Sequence, residues 1–167
     1  MKVPFSVTGH RPSKLANAYP ETKAYSVLVE LAMYQINKLN CTHILTGMAI
    51  GWDLAVAQAC VNVGISFTAC VPLQDQELQW PAETKRYYFE LCSKAADVYF
   101  VCDPGYAACK IQMRNQYMVD NSEKVLALWD GSSGGTANCV EYAKTKNIEI
   151  INCWTEYLSC FKYYGLI

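Results

Sequence analysis

The sequence predicts a Rossmann-like, doubly wound α/β fold, with a mainly parallel sheet flanked by helices in a single domain over residues 1–167. Three observations lead there. Short β-rich runs alternate with helical stretches of ten or more residues, a pattern that implies parallel strands joined by right-handed crossovers. The chain has 167 residues, 52% of them hydrophobic and only 17% charged, enough for one sizeable core and incompatible with intrinsic disorder. Glycine and polar residues gather where strands end, the place where open α/β sheets bind ligands.

Taken in order, residues 3–8 read as a first strand, with Pro4 at its start because proline cannot donate within a ladder. Residues 21–39 have helical spacing, with Val27, Leu28, Leu31, Ala32 and Ile36 on one side. A second strand over 43–46 ends at Gly47, and an alanine-rich helix covers 53–63. A third strand, 66–71, is stopped by Pro72; a helix over 83–95 and a fourth strand over 97–102 follow. Residues 111–120 are helical in composition, and 124–129 form the most strand-like run. A helix over 135–145 follows a glycine turn, and 148–152 make the last strand. From about residue 153, Trp154, Tyr157, Leu158 and Phe161 fall at i, i+3, i+4 and i+7, the stripe of a final helix packed on the sheet.

Composition narrows the function. Fourteen Lys and Arg against 15 Asp and Glu give a net charge of -1, which argues against a duplex-DNA binder and makes nucleic acid an unexpected partner. No apolar run approaches the roughly 18 residues of a membrane helix, and the N-terminal stretch lacks a secretory h-region. The expectation is therefore a soluble, cytoplasmic protein. Nine cysteines, an odd number without C-x-x-C spacing, read as reduced structural thiols rather than a zinc or redox motif.

The strand ends carry the candidate site. The first ends in Thr8-Gly9-His10-Arg11-Pro12, the second in Thr46-Gly47-Met48-Ala49-Ile50-Gly51-Trp52-Asp53. The third ends in Pro72-Leu73-Gln74 with Trp80 soon after, and the fifth in Asp130-Gly131-Ser132-Ser133-Gly134-Gly135-Thr136. The last run is either a flexible turn or a phosphate cradle. Its place between a buried strand and a helix favours the cradle, since backbone N–H groups at a helix start attract anions. It is neither a P-loop nor a G-x-G-x-x-G fingerprint. Gly47-x-x-x-Gly51-x-Asp53 reads equally as a tight turn with a helix-start charge or as a ribose contact. His10, held by a turn at a strand end, is a candidate ligand contact, whereas His43 reads as structural. Arg114-Asn115 sits among Met113, Tyr117, Met118 and Val119, and a covered arginine needs an anionic partner. Trp80 reads either as a core aromatic or as a surface on which a base stacks.

Together THILTGMAIGWD, the segment from Gln76 to Trp80, RNQYMVDNS and LALWDGSSGGTANCVEYA resemble the SLOG superfamily, named for the SMF/DprA and LOG proteins. Within it the YspA/YpsA-like branch opens with a similar Thr-Gly-His-Arg-Pro. The resemblance runs from Val7 to about Ala143. It implies a nucleotide-type ligand with ribose and phosphate; some members are phosphoribohydrolases and others sense ADP-ribose-derived or cyclic nucleotide signals in antiviral defence. Carried over by position, Gly134, Gly135 and Thr136 match its phosphate loop, Gly47 and Gly51 its earlier glycine turn, and Arg114 its helix arginine. The hydrolase branch has a Glu three residues past the loop threonine, where this chain has Cys139. Glu141 lies two residues further on, rotated by about 200° around the helix.

The expected ligand-binding set is thus Thr8, Gly9, His10, Arg11, Thr46, Gly47, Met48, Gly51, Asp53, Pro72, Trp80, Arg114, Asn115, Asp130, Gly131, Ser132, Ser133, Gly134, Gly135 and Thr136. No catalytic residue, resident cofactor or metal is assigned; Asp53, Asp120 and Asp130 could hold Mg²⁺ only through phosphates. The leading expectation is a module that senses or sequesters a nucleotide or ADP-ribose-derived molecule, as a phage-encoded sponge would. An N-ribosyl hydrolase of nucleoside phosphates and a DNA-processing or protein-interaction module are the alternatives. The aromatic tail and low charge suggest a homodimer or larger homo-oligomer.

Overall fold

The structure is a computed structural model that describes residues 4–167. Six parallel strands form one sheet in the order β4-β3-β2-β1-β5-β6. The strands are β1 (Pro4–Gly9), β2 (His43–Thr46), β3 (Ser66–Val71), β4 (Asp97–Phe100), β5 (Lys124–Leu128) and β6 (Glu149–Asn152). The helices are α1 (Lys23–Lys38), α2 (Trp52–Val63), α3 (Ala82–Lys94), α4 (Ala108–Asp120), α5 (Gly135–Thr145) and α6 (Trp154–Tyr163). A short 3-10 turn, Pro12–Lys14, follows β1. Among the described residues no helix is long and apolar enough to cross a membrane.

The order of strands identifies the functional end. The chain steps outward from β1 to β4 at one edge, then returns to place β5 on the other side of β1. The crevice beyond the carboxyl ends of β1 and β5 is therefore the switch point at which open α/β sheets hold ligands. Side-chain alternation distributes the strands between two layers. Leu126 and Leu128 of β5 join the large core with α1, α2 and α6, while Val125 and Ala127 pack against Val119 of α4 and Cys139, Val140 and Ala143 of α5. Helices thus cover both faces, as a doubly wound sheet requires.

Several boundaries differ from the sequence expectation. Val3 lies outside the described residues. β4 stops at Phe100 instead of residue 102, although Cys102 N–H still donates to Pro72 O at 3.0 Å. β5 ends at Leu128 because Trp129 turns its N–H to the Asn152 side chain, at 3.1 Å. α4 begins three residues early, at Ala108. The turn Pro12–Lys14 was not expected; Pro12 supplies the fixed φ of a first helical position. His43 has the structural place expected of it, 2.7 Å from Ser66 Oγ and 3.0 Å from Thr68 Oγ1 across the β2–β3 pair. All nine cysteines are free thiols.

The final helix buries two residues of its stripe. Tyr157 and Phe161 are buried with ring centroids 4.2 Å apart, and α6 lies against α1. Replacing Phe161 with Ala leaves a core void and is expected to cost about 3–5 kcal/mol in urea unfolding. Tyr163→Ala, two residues on and 84% exposed, is expected to stay within about 0.5 kcal/mol of the wild type.

Candidate functional site

A cavity of about 290 Å³ opens at the β1/β5 switch point. It draws its walls from three places: the end of β1 with the turn after it, the starts of α2 and α5, and the middle of α4. Of the expected residues, Thr8, Gly9, His10, Arg11, Asp53, Arg114, Asn115, Ser132, Ser133, Gly134, Gly135 and Thr136 line it. Thr46, Gly47, Met48, Gly51, Pro72, Trp80, Asp130 and Gly131 do not.

Most of these eight hold the lining in place. Gly47 is where α4 meets the β2–α2 turn. Arg114 Nη1 donates to Gly47 O at 2.6 Å, and a Cβ on Gly47 would overlap that same guanidinium and lie 2.8 Å from Asp53 Oδ2. Glycine therefore leaves the space in which Arg114 and Asp53 face each other. Gly51 has φ +107°, and a Cβ there would strike His10 O, so the turn closes directly onto the backbone after β1. Thr46 Oγ1 donates to Asp53 O at 3.0 Å and accepts from Met48 N–H at 3.3 Å. Met48 is fully buried. Pro72 ends β3, and Trp80 packs edge-on against Tyr88 with centroids 5.3 Å apart. Gly131 turns the chain between Asp130 and Ser132.

Arg114 and Asp53 are the buried charges of the site, 3% and 6% exposed. Arg114 Nε donates to Asn115 Oδ1 at 2.8 Å, while Nη2 has no protein partner among the described residues. Arginine stays charged even where burial pulls its pKa down, as it does here. Burial pushes the Asp53 carboxyl above its ordinary value, against the pull of Arg114 and Arg11. One oxygen of that carboxyl accepts from Ala49 N–H at 3.4 Å.

Asp130 works from behind the wall. Its Oδ1 accepts from Ser132 N–H at 2.9 Å and from Ser132 Oγ at 2.5 Å, and lies 2.8 Å from His10 Nε2; Lys14 Nζ is 3.6 Å from Oδ2. Lys14 also donates to Ser132 Oγ. The Ser132 bonds hold the Asp130 carboxyl well below the usual range, with His10 adding to the effect. His10 Nε2 also accepts from Asp130 N–H at 3.0 Å, an arrangement for the neutral ring. Burial lowers the pKa of His10, and the Asp130 carboxylate opposes this.

The start of α5 supplies anion-binding groups. Gly134 caps the helix without a side-chain hydrogen bond, and Asn138 N–H is the first amide to reach back, to Gly134 O at 3.0 Å. The N–H groups of Gly135, Thr136 and Ala137 precede it and have no partner among the described residues. With Arg11, Lys14 and Arg114 in the same wall, positive groups outnumber the single lining carboxylate, Asp53.

Five lining residues were not in the expected set: Ser13, Lys14, Ala49, Ile111 and Ala137. Pro12 after Arg11 was the signal for the first two, since a 3-10 turn begun there curls Ser13 and Lys14 back over the strand end. Ile111 lies three residues before Arg114 and shares its helix face. Cys139, where the hydrolase pattern has Glu, is buried in the α4–α5 layer beside the Thr8 hydroxyl, its thiol pushed up to about 11 by burial. Glu141 is exposed, pairs with Lys144 at 2.6 Å and is absent from the lining.

The fold and the cavity define a Rossmann-like α/β protein with an anion-attracting hollow at its topological switch point. The chain belongs to the YspA SLOG family, which it matches over residues 5–158. It is 33% identical over 139 residues to the SPbeta prophage-derived protein YoqJ of Bacillus subtilis, covering 73% of this chain and 78% of that protein. A UPF0398 protein of Bacillus thuringiensis is 22% identical over 161 residues, 91% and 87% of the two chains. Among solved structures, DNA processing protein A of Streptococcus pneumoniae superposes with a TM-score of 0.64 at 18% identity, over 90% of this chain and half of that one. DNA processing protein A of Helicobacter pylori, described for its single-stranded DNA binding mode, gives 0.63 at 14% identity, covering 90% and 64%. These likenesses carry the fold.

Two expectations follow from the geometry. Gly47→Ala displaces the Arg114 guanidinium and should cost about 1–3 kcal/mol in urea unfolding, whereas Gly135→Ala, whose Cβ meets open space, should leave the fold intact. Because burial lowers the His10 pKa, the folded state disfavours its protonation. The resulting stability is complete above the ordinary value of about 6.5 and is lost as pH falls toward the lowered one. The urea midpoint of the wild type should therefore drop more between pH 7 and pH 5.5 than that of His10→Gln.

Proposed function

We propose that the β1/β5 cavity binds a phosphate-bearing nucleotide or ADP-ribose-derived molecule, and that the protein acts by holding this ligand, as a sensor or a sequestering sponge. The supporting observation is the convergence of three partnerless amides at the start of α5 with Arg11, Lys14 and Arg114 on one hollow. Helix-start amides and guanidinium forks both suit phosphate oxygens. At about 290 Å³ the cavity lies just below the roughly 300–1,000 Å³ of ligand pockets, room for one small phosphate-bearing group. Thr8, His10 and Asp53 are within the same lining to meet a ribose or base. Similarity to a prophage-derived protein fits the phage-encoded, anti-defence version of this role.

A second reading, an N-ribosyl hydrolase, is favoured by one feature. Asp53 is a buried carboxyl with a raised pKa in the same cavity as Arg114, and such a group can serve as an acid near a departing base. Against it, the acid of the hydrolase loop is missing and Glu141 is turned away.

Mass spectrometry of small molecules released by denaturing protein purified from cells tests the proposal. A phosphate-bearing nucleotide derivative near one equivalent is expected, and Lys14→Ala should weaken its rebinding roughly ten- to a hundredfold without loss of fold. Incubation with AMP, NAD and ADP-ribose should release no base; turnover abolished by Asp53→Asn would replace the binder with the hydrolase. Recovery of no small molecule, together with salt-sensitive binding of single-stranded DNA, would overturn both.

A further inference from the structure

We propose that the β4–α4 loop and the first turns of α4 together hold a soft monovalent metal ion of the Cu(I) class through three sulfur atoms: the thiolates of Cys102 and Cys109 and the thioether of Met113. None of these residues lines the β1/β5 cavity, and the inference does not rest on the ligand reading above. Cys102 leaves β4 two residues after its last strand position. Cys109 stands in the first turn of α4, and Met113 follows four residues later on the same helix face. All three line a separate cavity of about 550 Å³ at this edge of the sheet.

Cys102 Sγ lies 3.9 Å from Met113 Sδ. Two metal–sulfur bonds of roughly 2.3 Å spanning that separation enclose about 116°, between the tetrahedral and trigonal angles. This pair is thus already spaced to share one ion, with Cys109 in the same wall as the third donor. Cys109 is exposed and Met113 is 50% exposed, so an ion can reach the site from solvent.

Donor chemistry selects the ion. Thiolate and thioether are soft ligands that suit Cu(I), whereas Mg²⁺ and Ca²⁺ take oxygen. Among the described residues no three of His, Cys, Asp and Glu come together as a metal cluster, so Zn²⁺ lacks its usual donor set here. Two thiolates around one monovalent cation leave a single negative charge, and the same cavity carries one ammonium, Lys110, beside one carboxylate, Asp103. The Lys110 ammonium is anchored on the carbonyls of Asp103, Pro104 and Gly105, at 2.7, 3.2 and 2.7 Å, which also fastens the loop. On binding, each thiol releases its proton to solvent and no electron is transferred.

The test is a titration of the reduced full chain with Cu(I) in competition with bicinchoninate, followed by X-ray absorption. The wild type should withhold one Cu(I) per chain in a shell of three sulfurs. Cys102→Ser and Cys109→Ser should each weaken retention on the order of tenfold or more. Met113→Leu should weaken it less and reduce the shell to two sulfurs. Cys160→Ser, on α6, should change nothing. Should Cys102→Ser fail to fold, the exposed Cys109 position decides alone. Equal losses from Cys109→Ser and Cys160→Ser, a shell unaltered by Met113→Leu, or copper spread over the thiols with no distinct first equivalent would overturn the site.

Discussion

The burial of Arg114 opposite Asp53, in the space left by Gly47, is the constraint on which the site depends. A guanidinium 3% exposed carries a large desolvation cost, and an uncompensated one would unfold the helix that bears it. Three things offset that cost here: the Gly47 carbonyl at 2.6 Å, the Asn115 amide oxygen at 2.8 Å, and the Asp53 carboxyl across the glycine. Each comes from a different part of the wall or its support, so satisfying one charge fixes α4, the β2–α2 turn and the start of α2 relative to one another. The same arrangement leaves Nη2 without a partner among the described residues. Most of the arginine's hydrogen-bonding capacity therefore goes into holding the wall together.

The strand pattern was legible because it depends on local properties. Alternating short apolar runs and amphipathic stretches placed His43–Thr46, Ser66–Val71 and Gly135–Thr145 to the residue. Where tertiary contacts decide, the sequence was mute. Trp129 reads as a strand residue but exchanges its sheet bond for the Asn152 side chain, 23 positions away. Residues 108–110 carry too little apolar periodicity to announce a helix, yet α4 starts there. The glycine turns show the same division. Their positions at strand ends marked the right end of the sheet, but only coordinates separate residues that face the hollow from those that make room for it. Gly47 and Gly51 look like contact glycines in sequence; in the structure their missing side chains accommodate Arg114 and the His10 carbonyl.

Asp130 illustrates the same point from the opposite side. As the acidic residue directly after a central strand it has the position of a ligand contact. Its carboxylate instead accepts from the Ser132 amide and hydroxyl and lies beside the His10 ring and Lys14. These bonds orient three lining residues at once, so its charge is spent on shaping the wall and lowering the effective positive charge of Lys14. The consequence for chemistry is that Asp53 is the one carboxyl in the lining, and its elevated pKa is a product of the burial that Arg114 makes possible.

His10 extends this network to the far end of the chain. Its ring meets Trp154 edge-on, with centroids 5.8 Å apart at 89°, and Trp154 stacks on Tyr157, which leads to Phe161 in the α1–α6 layer. The final helix therefore rests on a ring whose pKa is lowered by burial, with Asp130 pulling the other way. Protonation of His10 would give up the Asp130 amide bond in favour of the carboxylate, which already lies 2.8 Å from the same nitrogen. Ser132 and His10 both line the hollow, so the cavity wall and the α6 aromatic stack share one imidazole. The aromatic stripe that first marked the tail as a packed helix thus runs in unbroken ring contact to the wall of the β1/β5 cavity.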